Sequence, residues 1–291
     1  MSTAEWAAQP LAWAGAVRGW LRLLRSELGL VFGRRRNLAL LAVLGAIPVL
    51  LGIVLRVSSP QPGGGGGDGP AFLGQVTGNG VFLAFLALVV ELTLILPLAV
   101  AVVSGDSVAG EAGRGTLRYL LAVPAGRTRL LGVKFAAVVA FCLCACFLVA
   151  AVAVVLGAIL FPVRPVTLLS GTTIPLAEGL VRLLFVVLYI AAGMAALGAI
   201  GLAISTFTEH AIGAIAALLV IAVASEVADT VSQIAVVHPY LPTHWWLSFD
   251  ALLRSPVDWP ELTRGLVSFA VYAVIFCSVA WARFTTADIT S

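Results

Sequence analysis

Glu91 lies near the middle of the apolar run Val81–Val103, where a carboxylate must face other helices or find a partner. It reads either as a group lining a substrate pathway or gate, or as a hydrogen-bonding link between helices. Glu226 and Asp229, one helical turn apart at the end of another apolar run, read as residues of the aqueous boundary. The stretch His238-Pro239-Tyr240-Leu241-Pro242-Thr243-His244-Trp245-Trp246 is aromatic and broken by proline, as in an interfacial or re-entrant segment. His238, His244 and Asp250 are the one conceivable metal set, but nothing in their spacing supports it, and no metal site is assigned. Cys142, Cys144 and Cys146 are spaced by two and fan around a helix, so they cannot share a metal and read as inert thiols, as does Cys277. No G-x-x-x-x-G-K-[ST] phosphate loop occurs, and the single lysine, Lys134, follows no glycine-rich turn. No catalytic residue is assigned, and the chain is expected to bind no cofactor itself.

The elements that hold these groups are read from composition. Apolar residues make up 61% of 291 residues and charged ones 11%, far below the roughly 25% of a soluble domain. The expected fold is an all-α membrane protein with six transmembrane helices at Leu38–Val57, Val81–Val103, Phe135–Phe161, Leu180–Ile204, Ala211–Ala228 and Gly265–Trp281. Residues 1–37 form an N-terminal cytoplasmic or interfacial arm. In it Trp13, Val17, Trp20, Leu21, Leu24 and Leu28 recur at helical spacing, with Arg18, Arg22 and Arg25 on other faces. Its arginines argue against a cleavable signal. Residues 38–291 form the transmembrane domain, with an inner hairpin at 104–134 and an outer re-entrant-like segment at 237–262. The run Gly63–Gly67 is a loop by composition. Ala191, Ala195, Ala199 and Ala203 make a ladder of small residues suited to close helix contact, within the bundle or across a dimer.

Lys and Arg set the orientation. One side carries Arg18, Arg22, Arg25, Arg34, Arg35, Arg36, Arg114, Arg118, Arg127, Arg129, Lys134 and Arg283, the other only Arg56, Arg164, Arg182, Arg254 and Arg264. The richer side is expected to be cytoplasmic, with both termini inside the cell membrane. The net charge of +3, placed beside apolar runs, suits lipid headgroups rather than nucleic acid. A cysteine placed at position 127 should therefore be shielded from an impermeant maleimide in intact cells, whereas one within Gly63–Gly67 or Pro239–Trp246 should react. Labelling of position 127 from outside would contradict this topology.

The inner segment Ser104–Lys134 is the largest loop on that side. Leu117, Leu120 and Leu121 form an apolar stripe beside Arg114 and Arg118. Pro124-Ala125-Gly126 breaks the helix, and Leu130 and Leu131 resume an apolar face, so two short helices around a break are expected. Such a basic amphipathic hairpin suits a groove on a soluble partner, and equally suits anionic headgroups.

The series Asp106, Ala109-Gly110-Glu111, Gly115-Thr116-Leu117, Leu120-Leu121, Pro124, Arg127, Leu130-Leu131 and Lys134 resembles the permease subunits of ABC-2 type transporters. Those permeases carry the pattern D..A.E...GT...LL..P..R..LL..K in the loop after the second span. Phe284, Asp288 and Ile289 are similar to the family's closing segment. Between Glu111 and Gly115 this chain has Ala112-Gly113-Arg114, where the family carries more charge. The resemblance implies that the loop is a coupling helix docking on a separate ABC ATPase that holds the ATP and Mg. Glu111 would be its acidic anchor, and Arg114, Leu117, Arg118, Leu120, Leu121, Arg127 and Arg129 would face the ATPase. It also implies a second permease chain, identical or related, and an exporter with substrate passing near Glu91. Leu169-Ser170-Gly171-Thr172-Thr173 superficially resembles an ABC signature but lies in an outer loop without a nucleotide fold. The other readings open to the residues are a secondary transporter, against which stands the lack of an inverted repeat, and a non-transporting membrane scaffold or immunity protein.

Overall fold

A backbone in hydrocarbon has no water to bond, so apolar runs of this length close their hydrogen bonds internally as helices. The protein, a computed structural model, is described over residues 4–58, 79–113 and 126–286, without the side chains of 4–18 and 127. The helices are α1 (Ala4–Gly33), α2 (Arg35–Ser58), α3 (Phe82–Thr93), α4 (Ile95–Gly105), the single turn α5 (Ala109–Ala112), α6 (Arg127–Leu160), α7 (Leu176–Ser205), α8 (Ala211–Asp229) and α9 (Trp259–Thr286). Two-residue strands β1 (Val166–Thr167) and β2 (Thr173–Ile174) pair antiparallel between α6 and α7. Three 3-10 turns, Ser232–Ile234, His238–Tyr240 and Ser248–Leu253, join α8 to α9.

Five helices, α2, α6, α7, α8 and α9, are long and apolar enough to cross a membrane. The pair α3–α4, bent by 55°, makes a sixth when counted as one span. The all-α, six-span architecture expected from the sequence is the one observed. The bend has a local cause. Pro97 has no N–H to give the carbonyl four residues back, at Thr93, and its ring crowds that carbonyl. Leu94 accordingly leaves the helix at φ −150°.

Helix α7 is the centre of the bundle: 72% of its apolar window is buried, against 17–22% for α2, α8 and α9, which turn their sides outward. Association in lipid gains little from apolar area and much from close fit, so small residues mark the contacts. A Cβ on Gly198 would sit 2.6 Å from Val138 Cγ1 of α6, and one on Gly201 would strike Ser104 of α4 and lie 2.6 Å from Leu218 of α8. Ala191, Ala199 and Ala203 are buried on the same helix, so the small-residue ladder serves packing inside one protomer. Gly171, at φ +80°, closes the turn between the short strands, a conformation that a side chain would strain. The Leu169–Thr173 stretch is thus the tip of a small hairpin.

Two expectations need correction. The hairpin's second arm is not a separate short helix: from Arg127 the chain is already α6, 34 residues without interruption, or about 51 Å, well beyond the span's need. Leu130 and Leu131 are consequently buried with Val108, Leu202, Ala280 and Phe284 at the base of the bundle. The last helix is also longer than the apolar run Gly265–Trp281, because its end turns carry Glu261, Arg264 and Arg283, charges that suit the membrane boundary.

Candidate functional site

Where α1, α2, α4, α5 and α6 meet on the arginine-rich side, six charged residues converge among the described residues. Lys134, at the base of α6, is the most buried cation among the described residues, its side chain 1% exposed. Its Nζ donates to Glu111 Oε1 at 2.7 Å and to Glu27 Oε1 and Oε2 at 3.3 and 3.4 Å. Beside this triad the Asp106 carboxylate accepts from Arg34 and, at 3.0 Å, from Arg36 Nη2. In ionised form Lys134 with two glutamates sums to −1 and Asp106 with two arginines to +1, so these six described residues sum to zero. Neutrality matters because an uncompensated charge at this depth costs several kcal/mol. A cavity of about 20 Å³ lies among Glu27, Arg34, Asn37, Ser107, Glu111 and Lys134, with Leu30, Val31 and Val103 on its apolar side, room for about one water with several polar partners.

The backbone that positions these groups is built for them. Asn37 Nδ2 donates to the Val31 carbonyl at 2.8 Å, fixing the break between α1 and α2 that aims Arg34 and Arg36 at Asp106. Ser205, at the end of α7, accepts from the amides of Val108 (3.1 Å) and Ala109 (2.8 Å) and donates to the Gly105 carbonyl at 2.8 Å. One hydroxyl thus satisfies the amides that open α5 and ties it to the central helix. A Cβ on Gly110 would collide with the Asp106 carboxylate, and one on Gly113 would lie 2.7 Å from the Glu209 carbonyl. Gly110 thus packs on Asp106, Gly113 on Glu209, and Glu111 pairs with Lys134.

Of the site residues expected from the sequence, Glu111 faces inward to Lys134, 5% exposed. Arg129 lies against α1, where a Cβ on Gly19 would be 2.7 Å from its Nη2. Arg114, Leu117, Arg118, Leu120 and Leu121 lie outside the described residues, as do the Arg127 side chain and the Gly63–Gly67 loop. The sequence marks Arg34 and Arg36 only as basic residues of the arginine-rich side and does not single out Glu27. The signals that point to them are few: Glu27 is the lone acid between Leu11 and Phe32, and Lys134 the lone lysine of the chain.

Glu91 is 0% exposed, and neither carboxylate oxygen has a hydrogen-bond partner among the described residues. It sits three residues before the break at Leu94, in the part of the second span that is already discontinuous. On the opposite face of the membrane, His244 Nδ1 lies 2.7 Å from Asp229 Oδ1 and His238 Nδ1 3.7 Å from it, while Asp250 pairs with Arg254 at 2.8 Å. The histidines thus converge on Asp229, away from Asp250, and among the described residues no three His, Cys, Asp or Glu side chains form a metal set. Cys142 and Cys146 are buried and Cys144 exposed, on different sides of α6.

No curated protein matches the chain closely enough to count as a relative. A family model described as ABC-2 family transporter protein matches residues 33–225, from the last residue of α1 to within α8, including Glu91, Asp106, Glu111 and Lys134. With that match over two-thirds of its length and six apolar spans, the chain belongs to the ABC-2 family, as a multi-pass membrane permease of the ABC transporters.

Proposed function

We propose that this chain is the membrane subunit of an ATP-driven exporter in the cytoplasmic membrane, with both termini inside, powered by a separate ABC ATPase docked on the Glu111–Lys134 hairpin. The observation that carries the reading is the burial of Lys134 between Glu111 and Glu27. It clamps the root of the hairpin to α6 and α1 at once, so a push on the hairpin moves helices rather than a loose loop. ATP and Mg stay on the partner, and closure of two ATPase subunits would be transmitted through this clamp and through Ser205 to the central helix α7. A second permease copy completes the assembly, and a path between the two copies opens the bundle at the Leu94 break, beside Glu91. The secondary-transporter reading needs discontinuous helices in matching halves, whereas the described residues contain one bent pair.

The direct test is ATP turnover. An ABC ATPase encoded beside this gene should hydrolyse ATP faster in proteoliposomes holding this chain than in empty ones. Equal rates with and without the chain would contradict the assignment.

Glu91 has its own expected result. Glu91→Gln should assemble normally and alter the chain-dependent ATP turnover and transport. Glu91→Leu should do the same while leaving thermal unfolding in detergent unchanged or raised, since it removes a buried carboxylate with no partner among the described residues. Wild-type turnover in both variants, or unfolding of Glu91→Leu, would remove Glu91 from the pathway.

A further inference from the structure

We propose that a groove on α9, at the end of the bundle opposite the charge cluster, binds a glycerophospholipid, its phosphate on Arg264 and one acyl chain along Val267, Val271 and Ile275. This site is independent of the docking reading and requires only that the chain span a membrane. The groove encloses about 590 Å³ between one face of α9 and the turn His238–Tyr240 with Trp245, within the range of small-molecule sites. Arg264, Val267, Val271 and Ile275 follow at three- and four-residue steps, one face of a helix. From Arg264 to Ile275 that face runs about 16 Å, one leaflet of a hydrocarbon core about 30 Å thick.

The walls are preformed. The Tyr272 hydroxyl donates to the Tyr240 carbonyl, and Trp245 Nε1 donates to the Pro239 carbonyl at 3.0 Å. Both aromatic residues therefore spend their polar tips within the protein and leave ring surface to the groove. Polarity is confined mainly to one end. Two other arginines of that face are satisfied, Arg182 on Glu178 and Arg254 on Asp250, each at 2.8 Å. Arg264, lining the groove mouth, has no ion pair or hydrogen bond among the described residues. A cation above an apolar slot one leaflet deep complements a phosphodiester with an acyl chain hanging below it.

The test reconstitutes the full chain with phosphatidylglycerol carrying a diazirine on one acyl chain and maps the photoadducts by peptide mass spectrometry. Adducts should concentrate on Val267–Ile275, fall roughly tenfold in Arg264→Gln and persist in Arg264→Lys. Val271→Trp, which fills the slot and leaves the arginine, should also remove them. Diacylglycerol with the same diazirine, lacking the phosphate, should label α9 weakly and equally in wild type and Arg264→Gln. The proposal is overturned if adducts spread evenly over lipid-facing positions such as Leu50 and Val220, if Arg264→Gln leaves them unchanged, or if diacylglycerol labels as strongly. It is equally overturned if α9 stays unlabelled because it crosslinks to a second copy.

Discussion

Replacing Lys134 with alanine should unfold the arginine-rich base of the bundle. The substitution removes the cation that joins Glu27 to Glu111, at sites 8% and 5% exposed. Breaking a buried ion pair by removing one partner costs about 3–5 kcal/mol, a large part of the stability of a typical domain. Thermal unfolding of the detergent-solubilised chain should shift down strongly, and protease should reach α1, whose Glu27 held it to α6. A charge-free replacement separates the fold from its use. Lys134→Met with Glu27→Gln and Glu111→Gln should recover most of the stability, because replacing a buried charge set by apolar or neutral groups is often neutral or better. If the clamp transmits motion, that triple variant should still fail to stimulate a partner ATPase. Unchanged unfolding of Lys134→Ala would show that the cluster carries no energetic weight.

What could be read in advance follows from the range of the interactions. Span positions come from runs of apolar residues, a local signal, and they were legible to within a few residues except where α6 begins eight residues early and where charged end turns extended α9. The bend at Leu94 was harder. Pro97 is visible in the sequence, but Pro48 is equally visible and lies inside an unbroken α2, so proline alone does not locate a break. Lys134 meets Glu111 and Glu27 across 23 and 107 residues, and no periodicity links α1 to α6. The family pattern flagged Asp106, Glu111 and Lys134 as belonging together without saying that they touch. Glu27 lies before the matched region altogether, so its place in the triad comes only from the fold. The two-residue strands were too short for any pattern, leaving Gly171 as their single trace.

The second large effect concerns the outer arm of the hairpin. Leu117 and Leu121 are four residues apart, on one face of a helix by spacing, and a docked helix buries such a stripe in its partner's groove. Leu117→Asp with Leu121→Asp would carry two unpaired carboxylates into that groove. At about 3 kcal/mol or more for a buried unpaired charge, affinity for the ATPase should fall at least about 100-fold. Arg114→Ala or Arg118→Ala, at the rim, should cost less and respond more to salt. Glu111 and Lys134 lie at the two roots of the segment and Glu27 on α1, apart from the leucines in sequence, so the membrane fold should survive the leucine changes.

Co-purification of the ABC ATPase with the Leu117→Asp/Leu121→Asp chain therefore tests the central claim most directly, with thermal unfolding run alongside to confirm an intact bundle. The expected result is a folded permease stripped of its ATPase. An intact double variant that retains the ATPase at wild-type stoichiometry would contradict the assignment of this hairpin as the docking site.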